Sequence, residues 1–362
     1  MNIYVPYNFI FLLLMTLGTI FSVSSSHWIG VWAGLEINLL GFIPMLVYGS
    51  TTLEIESSVK YFIIQSMGSG LLLLSSMLTS NTTLSWSNFG LSSSNSIMSS
   101  HYFMDKMPLF SILLLISLLI KMGLSPFHFW LPSVMSGISW ISALILVSWQ
   151  KIAPLILILM VMGQNSFILL MCCAISSLIG GLGGMNQTQI RALLAYSSIN
   201  HLGWMVAGGM FNYTSMIIYF IIYFTISVFL FYFLWLKEKS QFRQLSYSSF
   251  SNLNEKMLFS VLILSLGGLP PLIGFAGKWL IITELFLVEP TILIFLILGS
   301  LISLFYYLML FFTFFFSSST KSSNFLNPNS LLIYKNSMFF TLSIMVNITG
   351  AMFILWLPSM LL

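Results

Sequence analysis

Apolar runs of about 20 residues recur along the whole chain, and they limit what it can fold into. A helix of this length spans the hydrocarbon core of a membrane, where backbone polar groups must pair within helices because no water is available. Only 6% of the residues are charged and 58% are hydrophobic, too few polar groups to cover a water-exposed globule. The sequence therefore predicts an all-α, polytopic bundle of membrane helices.

The apolar runs predict about eleven spans within a single integral membrane domain. They cover residues 6–23, 27–49, 59–80, 108–131, 137–161, 166–184, 190–210, 214–236, 257–287, 290–316 and 338–358. We expect residues 1–161 to form a first half, residues 162–316 a second half, and residues 317–362 a loop and a last helix. The polar, Ser/Asn-rich segment 81–106 is the longest loop predicted on its face.

Basic residues are distributed unevenly between the two predicted faces. One face, formed by the loops after even-numbered spans, carries Lys60, Arg191, Lys237, Lys239, Arg243, Lys256, Lys321 and Lys335. The opposite face carries Lys106 alone. Because positive loops stay on the cytoplasmic side, the N-terminus is predicted on a cytoplasmic-like face, which is the matrix face in a mitochondrion.

Four charged residues lie inside apolar runs rather than in loops: Glu36, Lys121, Lys151 and Lys278. A charge at the centre of a membrane helix costs roughly 2.5–3.5 kcal/mol, so such residues usually have a function. A lysine could instead extend its amine to the membrane surface. His201 is a further candidate, although it could simply hydrogen-bond within a packed bundle. Four independent accidents are less probable than one shared polar pathway.

Two predicted spans contain helix-breaking residues beside a lysine. In the fourth span Lys121 precedes Ser125-Pro126, and in the ninth Lys278 follows Pro270-Pro271. The two spans are five helices apart and cross the membrane in opposite directions. The reversed order of lysine and break is typical of two inverted five-helix repeats with functional sites at two discontinuous helices. With the same offset of five helices, Glu36 in the second span corresponds to His201 in the seventh.

The motifs of redox and nucleotide chemistry are absent from the sequence. The glycines of GGLGG (180–184) do not form a dinucleotide fingerprint, and the adjacent Cys172 and Cys173 cannot supply a four-cysteine cluster. No metal-ligand cluster is recognisable. Burial disfavours a charged lysine and a nearby carboxylate favours it, so buried Glu and Lys groups suit proton movement. Pumping against a membrane potential costs about 2.3 kcal/mol per charge per 100 mV, so a partner must supply the energy.

Five stretches carry a family resemblance: GLEINLLGFIPML, KMGLSPFHFWLP, WQKIAPL, GGLGGMNQTQIRALLAYSSINHLGWM and GGLPPLIGFAGKWLI. In this order they closely resemble the antiporter-like, proton-pumping subunits of mitochondrial NADH:ubiquinone oxidoreductase (respiratory complex I), and in particular the subunit 2 family. The resemblance runs from Trp28 to about Glu284. It departs from the family at Ser133 and Ser136, where relatives commonly have acidic residues.

The resemblance implies a proton pathway in the order Glu36, Lys121, Lys151 and Lys278. His201 is an additional candidate that the sequence itself offers, because the pKa of a histidine is easily tuned near neutral pH. It implies no cofactor in this chain, because flavin, iron–sulfur clusters and ubiquinone belong to other subunits. The implied partners are subunit 4L on one side, the antiporter-like subunit 4 on the other, accessory subunits, and membrane lipids including cardiolipin. The implied location is the mitochondrial inner membrane, with the N-terminus in the matrix.

Two other classes of function fit the same sequence. One is a stand-alone cation/proton antiporter in a secretory or bacterial membrane. In a eukaryotic secretory membrane it would carry glycans at the sequons of Asn81 and Asn212, which are predicted on the face opposite the positive loops. A structural subunit would scaffold an assembly without conducting protons, and would tolerate loss of the buried lysines.

Overall fold

The structure, a computed structural model, describes residues 5–48, 51–83, 107–161, 166–237 and 253–315, with positions 345 and 347. These residues form helices, with no strand among them. Among the described residues, six helical segments are long and apolar enough to cross a membrane, one of them the interrupted stretch Trp140–Val161, and three shorter helices are also apolar. The predicted all-α, polytopic membrane class is confirmed. Nearly all of the last predicted span, 338–358, lies outside the described residues.

The helices are numbered here in chain order. They are α1 (Val5–Ser24), α2 (Trp28–Leu46), α3 (Thr52–Thr83), α4 (Met107–Met122), α5 (Trp130–Gly137), α6 (Trp140–Val147), α7 (Ile152–Val161), α8 (Ser166–Met185), α9 (Ile190–Gly209), α10 (Tyr213–Lys237), α11 (Leu253–Gly267), α12 (Ile273–Val288) and α13 (Pro290–Phe315). A short 3-10 helix, Trp149–Lys151, separates α6 from α7.

Helix α3 begins seven residues earlier than the predicted span that starts at residue 59. The Thr51 hydroxyl accepts the backbone N–H of Glu54 at 3.3 Å, and the Glu54 carboxylate accepts that of Thr51 at 3.4 Å. This reciprocal pair is a capping box, which satisfies backbone donors that the first turn of a helix leaves free. Polar residues at the start of the span therefore belong to a capped helix and not to a loop.

The chain divides by its internal contacts into two compact units, Met1–Ser176 (unit 1) and Ser177–Leu362 (unit 2). This division lies inside α8, whereas the predicted halves of the sequence meet between residues 161 and 162. In unit 1, α1 packs closely on α2, and α3 packs along both α2 and α4. A Cβ on Gly18 would lie 2.6 Å from the backbone nitrogen of Asn38, so only glycine permits this approach of α1 to α2.

Unit 2 is built around α9, which is buried along nearly its whole length. Helices α10, α12 and α13 pack against it. An aromatic cluster joins α10, α11 and α13. The centroid of the Phe259 ring lies 5.0 Å from that of Phe233 and 4.4 Å from that of Phe314. The polar side chains of α9, including Asn200 and His201, consequently face protein and not lipid.

Large apolar side chains remain exposed on the outer helix faces of both units. Phe9 is 64% exposed and Leu287 is 84% exposed. In a water-soluble protein such extended apolar surface would favour aggregation, whereas in a membrane protein it contacts lipid.

Candidate functional site

Two helix interruptions position the candidate lysines, one in each unit. Helix α4 ends before Gly123, which has φ 74° and donates its N–H to the Leu119 carbonyl at 3.0 Å. Helix α11 ends before Gly268, which has φ 78° and donates its N–H to the Leu264 carbonyl at 3.1 Å. Glycine adopts this left-handed conformation without the clash that a Cβ would cause. The two predicted discontinuous helices are thus confirmed, and the same backbone arrangement ends the first part of each.

Lys121 lies in the last turn of α4 and is buried, with 7% of its surface exposed. The Gln65 amide on α3 donates to the Lys121 backbone carbonyl at 3.4 Å. Glu36 on α2 is partly buried and close enough to attract the Lys121 amine electrostatically. Glu36 and Lys121, both described residues, form no direct ion pair, so their attraction acts over more than ion-pair distance.

Lys151 lies at a third interruption, which breaks the span predicted as continuous from 137 to 161. The backbone N–H and the hydroxyl of Ser148 both bond to the Leu144 carbonyl, at 3.0 and 2.6 Å, and the 3-10 helix Trp149–Lys151 follows. Lys151 is 3% exposed, and its amine has no hydrogen-bond partner among the described residues. An unpaired buried ammonium is costly, so this amine needs water or must be neutral.

Lys121 and Lys151 both line one cavity of unit 1. It is large enough to hold a water molecule. The amides of Asn38, Gln65 and Gln150 also line it, and the Gln150 amide donates to the Asn38 side-chain oxygen at 3.0 Å. A cavity lined by several hydrogen-bonding groups is suited to hold an ordered water molecule.

Lys278 on α12 is the buried lysine of unit 2, with 5% of its surface exposed. Its amine donates to the Gly267 carbonyl at 2.9 Å. Gly267 is the last residue of α11, and carbonyls at a helix C-terminus lack intrahelical partners and carry partial negative charge. A Cβ on Gly268 would lie only 2.8 Å from the amine, so the glycine leaves the space that Lys278 occupies.

His201 lies on α9 within unit 2 and is 5% exposed. Its Nδ1 is 2.8 Å from the Tyr219 hydroxyl, and its ring centroid is 4.9 Å from that of Tyr223. The imidazole is therefore fixed by a buried hydrogen bond and by aromatic packing against α10.

Two further titratable residues, His128 and Glu284, have other surroundings. His128 is buried at the first break, its Nδ1 is 3.2 Å from the Pro126 carbonyl, and it does not line the cavity. Glu284 is partly buried near the end of α12, where its carboxylate interacts with the side chains of Asn212 and Ser215.

Sequence reasoning overlooked the amides that share the cavity with the lysines. Asn38 lies two residues after Glu36, and Gln150 directly precedes Lys151. Amide side chains within apolar spans, next to charged residues, were the available signal. Unit 1 brings together Glu36, Lys121 and Lys151, and unit 2 contains Lys278 and His201.

Comparison with known proteins places this geometry in a family. The profile of the NADH:quinone oxidoreductase/Mrp antiporter transmembrane family matches residues 25–303. The chain is 37% identical to NADH-ubiquinone oxidoreductase chain 2 of Locusta migratoria, with 80% of this chain and 79% of the relative covered. It is 43% identical to the protein of the same name from Anopheles gambiae, with 77% and 76% covered.

The fold is also similar to a solved structure. A chain of respiratory complex I from Thermus thermophilus superposes with a TM-score of 0.78 at 24% sequence identity, covering 97% of this chain and 77% of that one. The resemblance noted from the five sequence stretches is confirmed. The chain belongs to the NADH:quinone oxidoreductase/Mrp antiporter transmembrane family and is similar to its members called NADH-ubiquinone oxidoreductase chain 2.

Proposed function

We propose that the chain is a membrane-arm subunit of respiratory complex I. In this role it couples NADH oxidation and ubiquinone reduction, carried out by other subunits, to proton translocation across the membrane. The names of its relatives support the assembly, and the buried charges support the proton movement. Redox cofactors would be held by the partner subunits.

The cavity shared by Lys121 and Lys151 is the observation that carries the proposal. Burial opposes the charge on a lysine amine and a nearby carboxylate such as Glu36 favours it, so Lys121 is suited to take up and release a proton. A proton released by Lys121 can pass through cavity water to the unpaired amine of Lys151. The amides of Asn38 and Gln150 would hold that water in place.

The pathway proposed for the whole chain runs from Glu36 through Lys121 and Lys151 to Lys278, with His201 as an additional member. At Lys278 the protonated amine is stabilised by the Gly267 carbonyl. Loss of that proton leaves a neutral amine whose hydrogen bond to the carbonyl is weaker, so the two states differ in how firmly the amine is held. Redox reactions elsewhere in the complex would supply the energy for each cycle.

The proposed setting is the mitochondrial inner membrane, with the N-terminus in the matrix. Subunit 4L on one side and the antiporter-like subunit 4 on the other are the proposed neighbours, together with accessory subunits and lipids such as cardiolipin. The uneven distribution of basic residues supports this orientation.

Immunoprecipitation of the chain from mild-detergent extracts tests the assembly. We expect the chain to bring down flavin and iron–sulfur proteins that oxidise NADH and reduce ubiquinone. Vesicles containing that assembly should acidify when NADH is added. Recovery of the chain without such proteins, together with Na⁺- or K⁺-driven proton exchange in vesicles, would contradict the proposal and favour a stand-alone antiporter.

Gly268→Ala is expected to impair proton translocation through its effect on Lys278. The new Cβ would lie 2.8 Å from the amine, and the left-handed backbone would cost about 1–2 kcal/mol. We expect NADH-driven proton uptake by the reconstituted complex to fall about tenfold, because the amine is displaced from the Gly267 carbonyl. Gly70→Ala is the control, since a Cβ at Gly70 meets nothing within 4 Å. Wild-type uptake by Gly268→Ala would rule out a need for this contact.

A further inference from the structure

The 3-10 helix Trp149–Lys151 sets the direction in which the Lys151 side chain leaves the backbone. Its defining bond runs from the Lys151 N–H to the Ser148 carbonyl, three residues earlier, at 3.3 Å. A 3-10 helix turns about 20° more per residue than an α-helix, so three residues in α-helical geometry would leave Lys151 rotated by about 60°. The presence of Lys151 on the cavity wall therefore depends on this short element.

The local sequence weakens the helix here without deciding its geometry. Pro154 has no N–H to donate to the Gln150 carbonyl, four residues earlier, so a continuous α-helix is disfavoured at this point. The proline restricts mainly its own backbone and that of Ala153. The geometry of Trp149–Lys151 is thus open to selection by a contact from another helix.

Gln150, the central residue of the 3-10 helix, makes two such contacts. Its side-chain amide donates to the Asn38 side-chain oxygen on α2 at 3.0 Å and to the Met15 sulfur on α1 at 3.4 Å. A glutamine NH₂ group has two hydrogens, and each has an acceptor here. Met15 and Asn38 are only 1% and 3% exposed, so water does not compete for either acceptor.

The two acceptors are held in place by the close packing of α1 on α2. A Cβ on Gly18 would lie 2.6 Å from the backbone nitrogen of Asn38, and a Cβ on Gly41 would lie 3.0 Å from the Met15 Cγ. Glycine at both positions allows the two helices to approach this closely. Gln150 is therefore bonded to a tightly packed pair of helices and not to a mobile surface group.

We propose that Gln150 is a positioning residue for Lys151, whose amide ties the 3-10 helix to α1 and α2 and so keeps the lysine on the cavity. The inference rests on the proposed proton-translocating function and gives Gln150 a part in it beyond holding water. Met15 supports this distinction, because it bonds to Gln150 but is not among the residues that line the cavity. That contact serves the position of the 3-10 helix.

Gln150→Leu in the assembled complex is the test, since leucine fills the space but donates no hydrogen bond. We expect normal assembly, about tenfold lower NADH-driven proton uptake in proteoliposomes, and a changed pH profile of uptake. The profile changes because the surroundings of the Lys151 amine decide where it is protonated. The other titratable groups here, Lys121 and Tyr61 on the cavity and Glu36 near Lys121, are left in place. Uptake lowered by one factor at every pH, or not lowered at all, would overturn the positioning role.

Electron cryo-microscopy of the Gln150→Leu complex separates a change of position from a loss of cavity water. We expect Trp149–Lys151 to be turned while α1 and α2 keep their places. Lys151 in its wild-type position would overturn the proposal. Gln187→Leu is the matched control, because the Gln187 amide donates to the Gly183 carbonyl in unit 2, and this variant should pump as wild type.

Lys151→Met separates failure of this inference from failure of the proposed function. If Lys151→Met lowers uptake while Gln150→Leu does not, the function holds and the positioning role is wrong. If Lys151→Met pumps normally, the proposed function of Lys151 is wrong, and the position of Lys151 in Gln150→Leu still decides whether Gln150 sets it. Should Gln150→Leu not assemble, Met15→Leu replaces it, because it removes one acceptor without altering the cavity lining. A wild-type pH profile and Lys151 position in Met15→Leu would then overturn the proposal.

Discussion

Replacing Lys121 with methionine is expected to lower NADH-driven proton uptake about 10²-fold, at the lower end of what a positioned proton-transfer group contributes. Lys121 is buried beside a cavity and within the electrostatic influence of Glu36. Methionine keeps the length and apolar contacts of the side chain but carries no proton. The measurement is fluorescence quenching by reconstituted complex containing Lys121→Met, with NADH and ubiquinone supplied.

Two further lysine variants show whether the effect depends on proton release by Lys121. Lys60→Met is the control, because Lys60 is 47% exposed and its ion pair with Glu56 lies on the surface, where solvent screens the attraction. Lys121→Arg keeps a positive charge that cannot be released, so it should be as inactive as Lys121→Met. Full activity of the arginine variant would show that Lys121 acts as a fixed charge. Normal pumping by an assembled Lys121→Met complex would favour the scaffold function.

Lys151→Met is expected to lower NADH-driven proton uptake about as much as Lys121→Met does. The stability of the fold should stay the same or increase. The Lys151 amine has no hydrogen-bond partner among the described residues, so removing it breaks no described interaction. Replacing an unsatisfied buried polar group with an apolar group of similar shape is nearly neutral or stabilising, by up to about 1–3 kcal/mol. Proton uptake and thermal dissociation of the complex on native gels measure the two effects.

Lys278→Met provides the comparison for stability. Its amine donates to the Gly267 carbonyl, and a hydrogen bond to a charged group is worth about 1.5–3 kcal/mol. Lys278→Met should therefore lower the dissociation temperature, whereas Lys151→Met should not. A large loss of stability in Lys151→Met would mean that this lysine has a structural partner and that its function is different.

The sequence was sufficient to locate the buried lysines and two of the three helix interruptions. Lys121 and Lys278 were recognisable because a charge inside an apolar run is costly, and the prolines beside them cannot continue a helix. The interruption at Ser148 was not predicted, because no glycine or proline lies at residues 148–151. It depends on a local bond from the Ser148 hydroxyl to a carbonyl one turn back, and many serines in helices make such bonds without ending the helix.

The polar surroundings of the lysines were less predictable than the lysines themselves. The cavity amides Asn38, Gln65 and Gln150 lie on different segments, and only tertiary packing brings them together. The contact between His201 and Tyr219 likewise depends on how α9 packs on α10. By contrast, the capping box of Thr51 and Glu54 is a local pattern that the sequence displays, although the predicted span began only at residue 59.

The hydrogen bond between the Lys278 amine and the Gly267 carbonyl affects how the sequence around this lysine can change during evolution. A cation held by main-chain oxygen needs no acidic side chain as its counterpart. Substitution of neighbouring side chains leaves that oxygen in place, so the site can survive drift that erases every carboxylate around it. A search of relatives for paired acidic and basic residues would then miss a lysine held in this way. Gly268, which leaves space for the Lys278 amine, would be the better residue by which to recognise such a site.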